Sequence, residues 1–406
     1  MIRAAITLLA ATALLTGCSQ MNANSGNRDF NGDVKFLAKH TKVVTLGTGD
    51  GPKVAVVPAW QGRVMTSTSG GKNGAGYGWI NDELIFEGKT KPHIMPWGGE
   101  DRFWMGPEGG QYAIFFKPGD KFDLEHWQTP AVIDTQGYEV VSQNAHEVVF
   151  RHKTQFANYS GAKFNVQIDR TVRLLSEGDI RTLLGVQTGK DVRAVGYESE
   201  NRISNIGNNA WEKTSGLLSV WILGMFKHSP TTTVTIPFNP GPESERGPIV
   251  NDTYFGKVPP DRLKVAAATI FFKGDGQMRT KIGVGPKRCK EFLGSYDPAR
   301  NLLTIVNYTL PPGATDYVNS MWEMQKEPFG GDVVNSYNDG PPAPGAKPLG
   351  PFYELETSSP AAALKPGESL LHVHRTFHFE GPAKELDPIA KRLLGVGVDE
   401  IANSLK

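Results

Sequence analysis

The sequence predicts a mostly β protein of antiparallel strands, closed by a short helical segment at the C-terminus. Short runs of alternating polar and apolar residues recur along most of the chain, as strands with one buried face require. Between them stand 46 glycines and 28 prolines, which suit many turns rather than long helices. Helical spacing dominates only over residues 383–405, where Ile389, Leu393, Leu394, Val398, Ile401 and Leu405 recur, broken by Gly395 and Gly397. A chain of 406 residues can hold one large β domain or two smaller ones. Its 43 basic and 42 acidic residues nearly cancel, so no bulk electrostatic pull toward nucleic acid follows.

The N-terminus reads as an export signal. Met1-Ile2-Arg3 is a short basic region, and residues 4–15 form an apolar run too short to span a bilayer permanently. Leu15-Thr16-Gly17-Cys18 resembles the lipobox of bacterial lipoproteins. The resemblance implies removal of residues 1–17 and lipid on Cys18, whose buried methylenes hold the protein to a bilayer. Ser19 rather than Asp follows the cysteine, which implies sorting to the outer membrane of the bacterial envelope. The alternative is an ordinary secretory signal with an accidental cysteine. Residues 18–35 read as a flexible tether, and residues 36–40 as a short helix. Residues 36–380 would form the β body, and residues 381–406 the helical cap. Cys289 would be the remaining thiol of the processed chain, unable to form an intrachain disulfide, and reads as structural.

Strands are expected over residues 42–46, 53–58 and 61–68, with a glycine-rich hairpin at 47–51. No helix pattern follows those glycines, so they make a poor phosphate loop. Alternating runs at 139–141, 147–152, 163–175, 181–188, 192–202 and 217–223 suggest an antiparallel meander. A second meander is expected over 231–237, 265–273, 281–285, 291–296 and 302–309. The proline-containing loop 239–254 is long enough to overhang a site. Residues 317–324 read as one more strand, ahead of a stiff proline loop at 341–351.

The late region carries the most pointed pattern. In Tyr353-Glu354-Leu355-Glu356-Thr357 alternation puts both glutamates on one sheet face. Two carboxylates there cost desolvation unless the face meets water, a cation or a ligand. Lys365-Pro366-Gly367-Glu368 reads as a turn into a second alternating run, with His372, His374 and His378 on one face. The plainest account is a two-strand edge with one solvated face. His372 and His374 form an H-x-H pair, but no third ligand is identifiable, and neither a metal nor another cofactor is expected. Whether a cation sits among Glu100, Asp101 and Glu108 stays open. No CxxC pair, HExxH, Walker sequence or nucleophile elbow is present.

Residues 95–111 are the densest polar and aromatic segment, with Trp97, Glu100, Asp101, Arg102, Trp104 and Glu108 among glycines and prolines. Acids, arginine and tryptophan are what a sugar site needs: hydrogen bonds for hydroxyls and a flat apolar face for C–H edges. The same residues also suit a structural corner, with Arg102 paired to a neighbouring acid and the indoles in the core.

Taken together, these segments resemble the galactose mutarotase-like superfamily, and within it an uncharacterised family of secreted bacterial proteins, DUF6786. The resemblance rests on Gly98-Gly99-Glu100-Asp101-Arg102-Phe103-Trp104-Met105-Gly106-Pro107-Glu108, Asn319-Ser320-Met321-Trp322-Glu323, Val334-Asn335-Ser336-Tyr337-Asn338-Asp339 and Tyr353-Glu354-Leu355-Glu356-Thr357. It implies a large antiparallel β-supersandwich whose concave face binds sugar. Aldose mutarotases use a late-strand glutamate to take the anomeric proton and a histidine to protonate the ring oxygen. Glu356 resembles that glutamate, with Glu354 as a like-charged neighbour able to raise its pKa. The family's Thr-x-His has no counterpart in Asn201-Arg202-Ile203-Ser204-Asn205, which leaves His126 or His93 as substitutes. Arg202, Trp322, Asn335, Asn338 and Asp339 join the 95–111 segment as candidate sugar-binding residues.

Three roles follow: a mutarotase- or epimerase-like enzyme with Glu356 as base, a lipid-anchored glycan binder, and a structural envelope lipoprotein. A carbohydrate-directed role is the favoured expectation, and the shared fold cannot separate enzyme from binder.

Overall fold

The computed structural model describes residues 28–343 and 345–406. The expected signal segment, Cys18 and the start of the tether lie outside the described residues. The fold begins earlier than residue 36. Helix α1 (Phe30–Ala38) is capped by Asp29, whose carboxylate accepts from Gly32 N at 2.7 Å, and it buries Phe30 and Leu37. Arg28 pairs with Asp33 at 2.9 Å and with Asp82 at 2.6 Å, so residues 28–35 belong to the body rather than to a tether.

Strands β1 (Val44–Leu46), β2 (Lys53–Val57) and β3 (Arg63–Thr68) form a three-stranded antiparallel sheet. Helix α2 (Asp82–Glu87) follows, and β4 (Arg102–Gly106) opens a five-stranded sheet at its edge. The expected meander is present as β5 (Glu139–Gln143), β6 (Glu147–Ala157), β7 (Lys163–Leu174) and β8 (Arg193–Asn205), neighbours in chain order within a ten-stranded sheet. Helix α3 (Glu177–Leu184) interrupts it where alternation predicts a strand over 181–188. A capping box between Ser176 and Asp179 starts this helix, and Ile180 and Leu184 bury one stripe, which together override the alternation.

The chain then switches repeatedly between the sheets. Strand β9 (Ser219–Lys227) joins the small sheet, and β10 (Thr233–Pro237), short helix α4 (Glu243–Arg246), β11 (Leu263–Val265) and β12 (Thr269–Lys273) follow. Strand β13 (Thr280–Val284) lies in the small sheet, β14 (Phe292–Asp297) and β15 (Leu302–Tyr308) in the large one. Strands β16 (Val334–Asn338) and β17 (Phe352–Ser358) return to the small sheet, and β18 (Ser369–Glu380) to the large. The small sheet has the order β13-β16-β17-β9-β4, and the large one β11-β12-β10-β14-β15-β18-β8-β7-β6-β5. All named pairings are antiparallel.

The acid-bearing and histidine-bearing runs are not a two-strand edge. They lie in different sheets, each centrally: β17 between β16 and β9, β18 between β15 and β8. Thr357, on the face of β17 opposite the glutamates, meets His372 Nε2 and His374 Nδ1 of β18, both at 2.9 Å. The histidine face is therefore an inter-sheet core face, fully buried, not a solvated one. Burial holds His372 down to about 3 and His374 to about 4, so both are neutral at pH 7.

Helices α5 (Ala383–Leu394) and α6 (Val398–Asn403) meet at Gly395, whose φ of 78° ends α5. They cover Phe377 and Phe379 of β18 with Leu386, Ile389, Leu393 and Leu394. Each phenylalanine so covered contributes roughly 1.5–3 kcal/mol. The run 317–324 forms no strand. Tyr317 bridges Gly330, and Gln325 Nε2 donates to the Asn319 and Met321 carbonyls, so side chains satisfy this backbone in place of a neighbouring strand.

Candidate functional site

The small sheet has one face against the large sheet and one face turned away from it. Antiparallel register sets what the second face displays, because residues paired across strands share a face. One row is Asn335, Glu356, Leu223 and Arg102. The row on one side is Lys281, Tyr337, Glu354 and Met225, and on the other Ser358, Trp221 and Trp104. The alternation Glu354-Leu355-Glu356 thus sends both carboxylates to one surface.

Two cations offset the desolvation of these carboxylates. Arg102 Nη2 donates to Glu354 Oε1 at 3.0 Å. Lys281 Nζ donates to Glu356 Oε2 at 3.0 Å, and Trp221 Nε1 donates to the same oxygen at 3.0 Å. Each cation also lies over an indole, Arg102 at 4.3 Å from the Trp104 centroid and Lys281 at 4.8 Å from that of Trp221. Burial, helped by the Glu356 charge, pushes the Glu354 carboxyl above the ordinary carboxylate range against the pull of Arg102 and Lys281. The environment of Glu354 therefore favours its protonated form.

Aromatic rings wall the face. Trp104 meets Trp221 edge-on at 5.5 Å and Phe115 at 5.3 Å. Phe115 stacks on Trp127 at 6.0 Å, and Trp127 on Trp322 at 5.8 Å. Phe115 and Trp127 come from an irregular segment after β4, and Trp322 from the loop that alternation read as a strand. Glu108 is half-buried beside them. Burial pushes its carboxyl up to about 7, with Lys281 opposing, the Glu356 charge assisting and the Trp322 and Trp127 indoles opposing.

The long loop after β10 overhangs the far end. Asn251 exchanges backbone hydrogen bonds with Gly283, both 2.8 Å. Tyr254 Oη donates to Asp332 at 2.7 Å and accepts from Asn335 Nδ2 at 3.2 Å. Glu356, Arg102 and Trp104 are 0%, 2% and 3% exposed, whereas Tyr337 and Lys281 reach 7% and 9%. Exposure on this face is therefore greatest toward Lys281 and Tyr337, beside half-buried Glu108, Trp322 and Tyr254.

Several buried polar atoms of this face have no partner: Arg102 Nε and Nη1, Trp104 Nε1 and Glu356 Oε1. Orphaned groups of this kind are costly and mark a place where a polar ligand can bond.

Of the sequence-predicted residues, the fold gathers Arg102, Trp104, Glu108, Trp322, Asn335, Glu354 and Glu356. The others go elsewhere. Trp97 stacks on Trp60 at 4.6 Å in a separate core cluster. Glu100 accepts from Ser67 Oγ at 2.8 Å and meets His378 Nε2 at 2.9 Å inside the protein. Asp101 pairs with Arg170 at 2.6 Å and accepts from Ser199 at 2.7 Å. Arg202 is exposed on β8 and bonds Ser369 at 3.1 Å. Asn338 ties the turn at Gly276, and Asp339 accepts from Tyr337 Oη at 2.6 Å and Gly350 N at 2.8 Å. His126 pairs with Asp123 at 2.6 Å on a half-buried turn and bonds neither glutamate, and His93 bonds the Trp127 carbonyl at 2.6 Å. Among the described residues, no group of three His, Cys, Asp or Glu side chains is arranged to hold a metal ion.

Sequence reasoning missed Lys281, Trp221, Trp127, Tyr254 and Tyr337. Lys281 carried a usable signal, a lone lysine inside the apolar strand Thr280–Val284. The others looked like ordinary core aromatics.

No curated protein matches the chain. Among solved structures it is similar to the Slr1438 protein from Synechocystis sp. PCC 6803, at 14% identity and a TM-score of 0.48 over 84% of this chain and 96% of that one. It is also similar to a galactose mutarotase-like protein from Lactobacillus casei ATCC 334, at 10% identity and 0.45 over 83% and 100%. A galactose mutarotase related enzyme from Lactobacillus acidophilus matches at 10% identity and 0.45 over 84% and 97%. The model of one family covers residues 28–405, nearly the whole described chain. The chain belongs to that family, the family of unknown function DUF6786.

Proposed function

We propose that the outward face of the small sheet binds a sugar, and that the protein does so as a lipid-anchored envelope protein held through Cys18. The observation that carries the sugar reading is the buried Glu354–Glu356 pair, salt-bridged by Arg102 and Lys281 and walled by Trp104, Trp221, Trp127 and Trp322. Indole faces suit the C–H surface of a pyranose, and the unpartnered polar atoms suit its oxygens.

In the enzymatic form of this reading, Glu356 takes the anomeric hydroxyl proton through its free oxygen. The C1–O5 bond breaks, the ring oxygen receives the proton held by Glu354, and closure on the other face of the aldehyde returns both protons. The resemblance to mutarotases supports this assignment of Glu356. One observation favours binding without turnover: Glu356 Oε2 is already occupied by Lys281 and Trp221, leaving one oxygen for chemistry.

NMR exchange spectroscopy on monosaccharide anomers tests the choice. Exchange that vanishes in Glu356→Gln while binding persists is the expected result for an enzyme. Binding without exchange assigns a binder, and absence of binding to any sugar overturns the reading. Palmitate labelling that disappears in Cys18→Ala tests the anchor separately.

A further inference from the structure

We infer that the sugar taken by this face is anionic, a uronic acid whose carboxylate is received by Arg102 and Lys281. This rests on the sugar-binding reading and narrows it to a substrate class.

The argument is a census of what the face leaves unbonded. Glu354 Oε1 already accepts from Arg102, and Glu356 Oε2 accepts from both Lys281 and Trp221. Among the unpartnered buried atoms of this face, Glu356 Oε1 can only accept and the Ser219 hydroxyl can donate or accept, whereas Arg102 Nε, Arg102 Nη1 and Trp104 Nε1 can only donate. Lys281 adds to the donor side, because an ammonium carries three N–H groups and its one side-chain hydrogen bond is to Glu356. These atoms lie in three adjacent rows of one sheet face, and Arg102 and Trp104 are at least nine-tenths buried.

A neutral sugar hydroxyl carries one O–H donor beside its two lone pairs, so every hydroxyl placed on the face needs an acceptor there as well as donors. This face has a donor surplus, which an acceptor-only group satisfies. The planar guanidinium fork matches a carboxylate. Its stacking on Trp104 fixes the fork in place before any ligand arrives. Burial that raises the Glu354 and Glu108 carboxyls above the ordinary range lowers the negative charge that would repel an anion.

The test is calorimetric titration of the full chain in detergent with glucuronate, glucuronamide, glucose, glucose 6-sulfate and glucose 6-phosphate. Glucuronate is expected to bind roughly tenfold or more tightly than glucose or glucuronamide, the gain of a charge-assisted hydrogen bond. Arg102→Gln should reduce that preference to about threefold or less, and Arg102→Lys should keep part of it. The amide comparison needs no variant, so a misfolded Arg102→Gln does not weaken the test. Equal affinity for glucuronate and glucose overturns the inference and leaves the sugar reading standing. Tighter binding of the sulfate or phosphate overturns the carboxylate assignment. No binding of any of the five overturns the inference, and the sugar reading is then decided by the wider monosaccharide screen above.

Discussion

Lys281 and Glu356 form a salt bridge of 3.0 Å across the small sheet, one from β13 and the other from β17. Strand β16 lies between them, so the long lysine side chain spans a neighbouring strand to reach the carboxylate. Glu356 is fully buried and the Lys281 side chain is nearly so. Removing one partner leaves an uncompensated buried charge. We expect Lys281→Met to lower unfolding free energy by about 3–5 kcal/mol. In urea denaturation, Lys281→Met/Glu356→Gln should be more stable than Lys281→Met alone. A double variant less stable than the single would show that the pair is not the unit of stability.

The buried histidines set an acid limb. His372 and His374 have folded pKa values of about 3 and about 4 against an ordinary 6.5, with burial the first cause of each. The unfolded chain therefore binds protons first as pH falls through 6.5. Stability is full above that value and is lost between pH 6.5 and the folded values, at up to about 1.4 kcal/mol per pH unit for each histidine. Thermal melts from pH 7 to pH 4 should show a Tm slope that becomes shallower in His372→Gln. An unchanged slope would remove this histidine from the acid limb.

Burial brings the titration of Glu108 close to neutral pH. Its carboxyl holds a proton below about 7 and adds a negative charge above it. Affinity for glucuronate should therefore fall several-fold from pH 6 to pH 8, because the new charge opposes an anionic ligand. Glu108→Gln should flatten the profile. A profile equally steep in the variant would assign the titration to another group.

Gly224 in β9 sits against the segment that leads into β4. A Cβ there would collide with the backbone carbonyl oxygen of Glu100, which has no rotamer to escape through. Gly224→Ala should cost about 1–3 kcal/mol and loosen the site, since β9 carries Trp221 and pairs with both β4 and β17. Chemical denaturation compared with Trp221 fluorescence, read against a Trp221→Phe control, checks both effects.

Much of the strand order was legible because alternation is a local property. The paired glutamates, the central meander and the C-terminal helices all follow from spacing of two or of three to four residues. Helix α3 escaped because its signal is the Ser176–Asp179 box rather than its periodicity. Residues 317–324 alternate as a strand does, yet Gln325 rather than a neighbouring strand satisfies part of their backbone.

By itself the sequence determined that Glu354 and Glu356 share a face, that Thr357 points the other way, and that His372, His374 and His378 point together. Those statements need only the two-residue period of a strand. Tertiary structure alone decided which polar residues are site and which are scaffold. Glu100, Asp101 and Arg102 are consecutive, yet Glu100 meets His378, Asp101 meets Arg170 and Arg102 meets Glu354. A buried charge takes its role from the partner that offsets its desolvation. Here those partners lie tens to hundreds of residues away, beyond the reach of any local pattern.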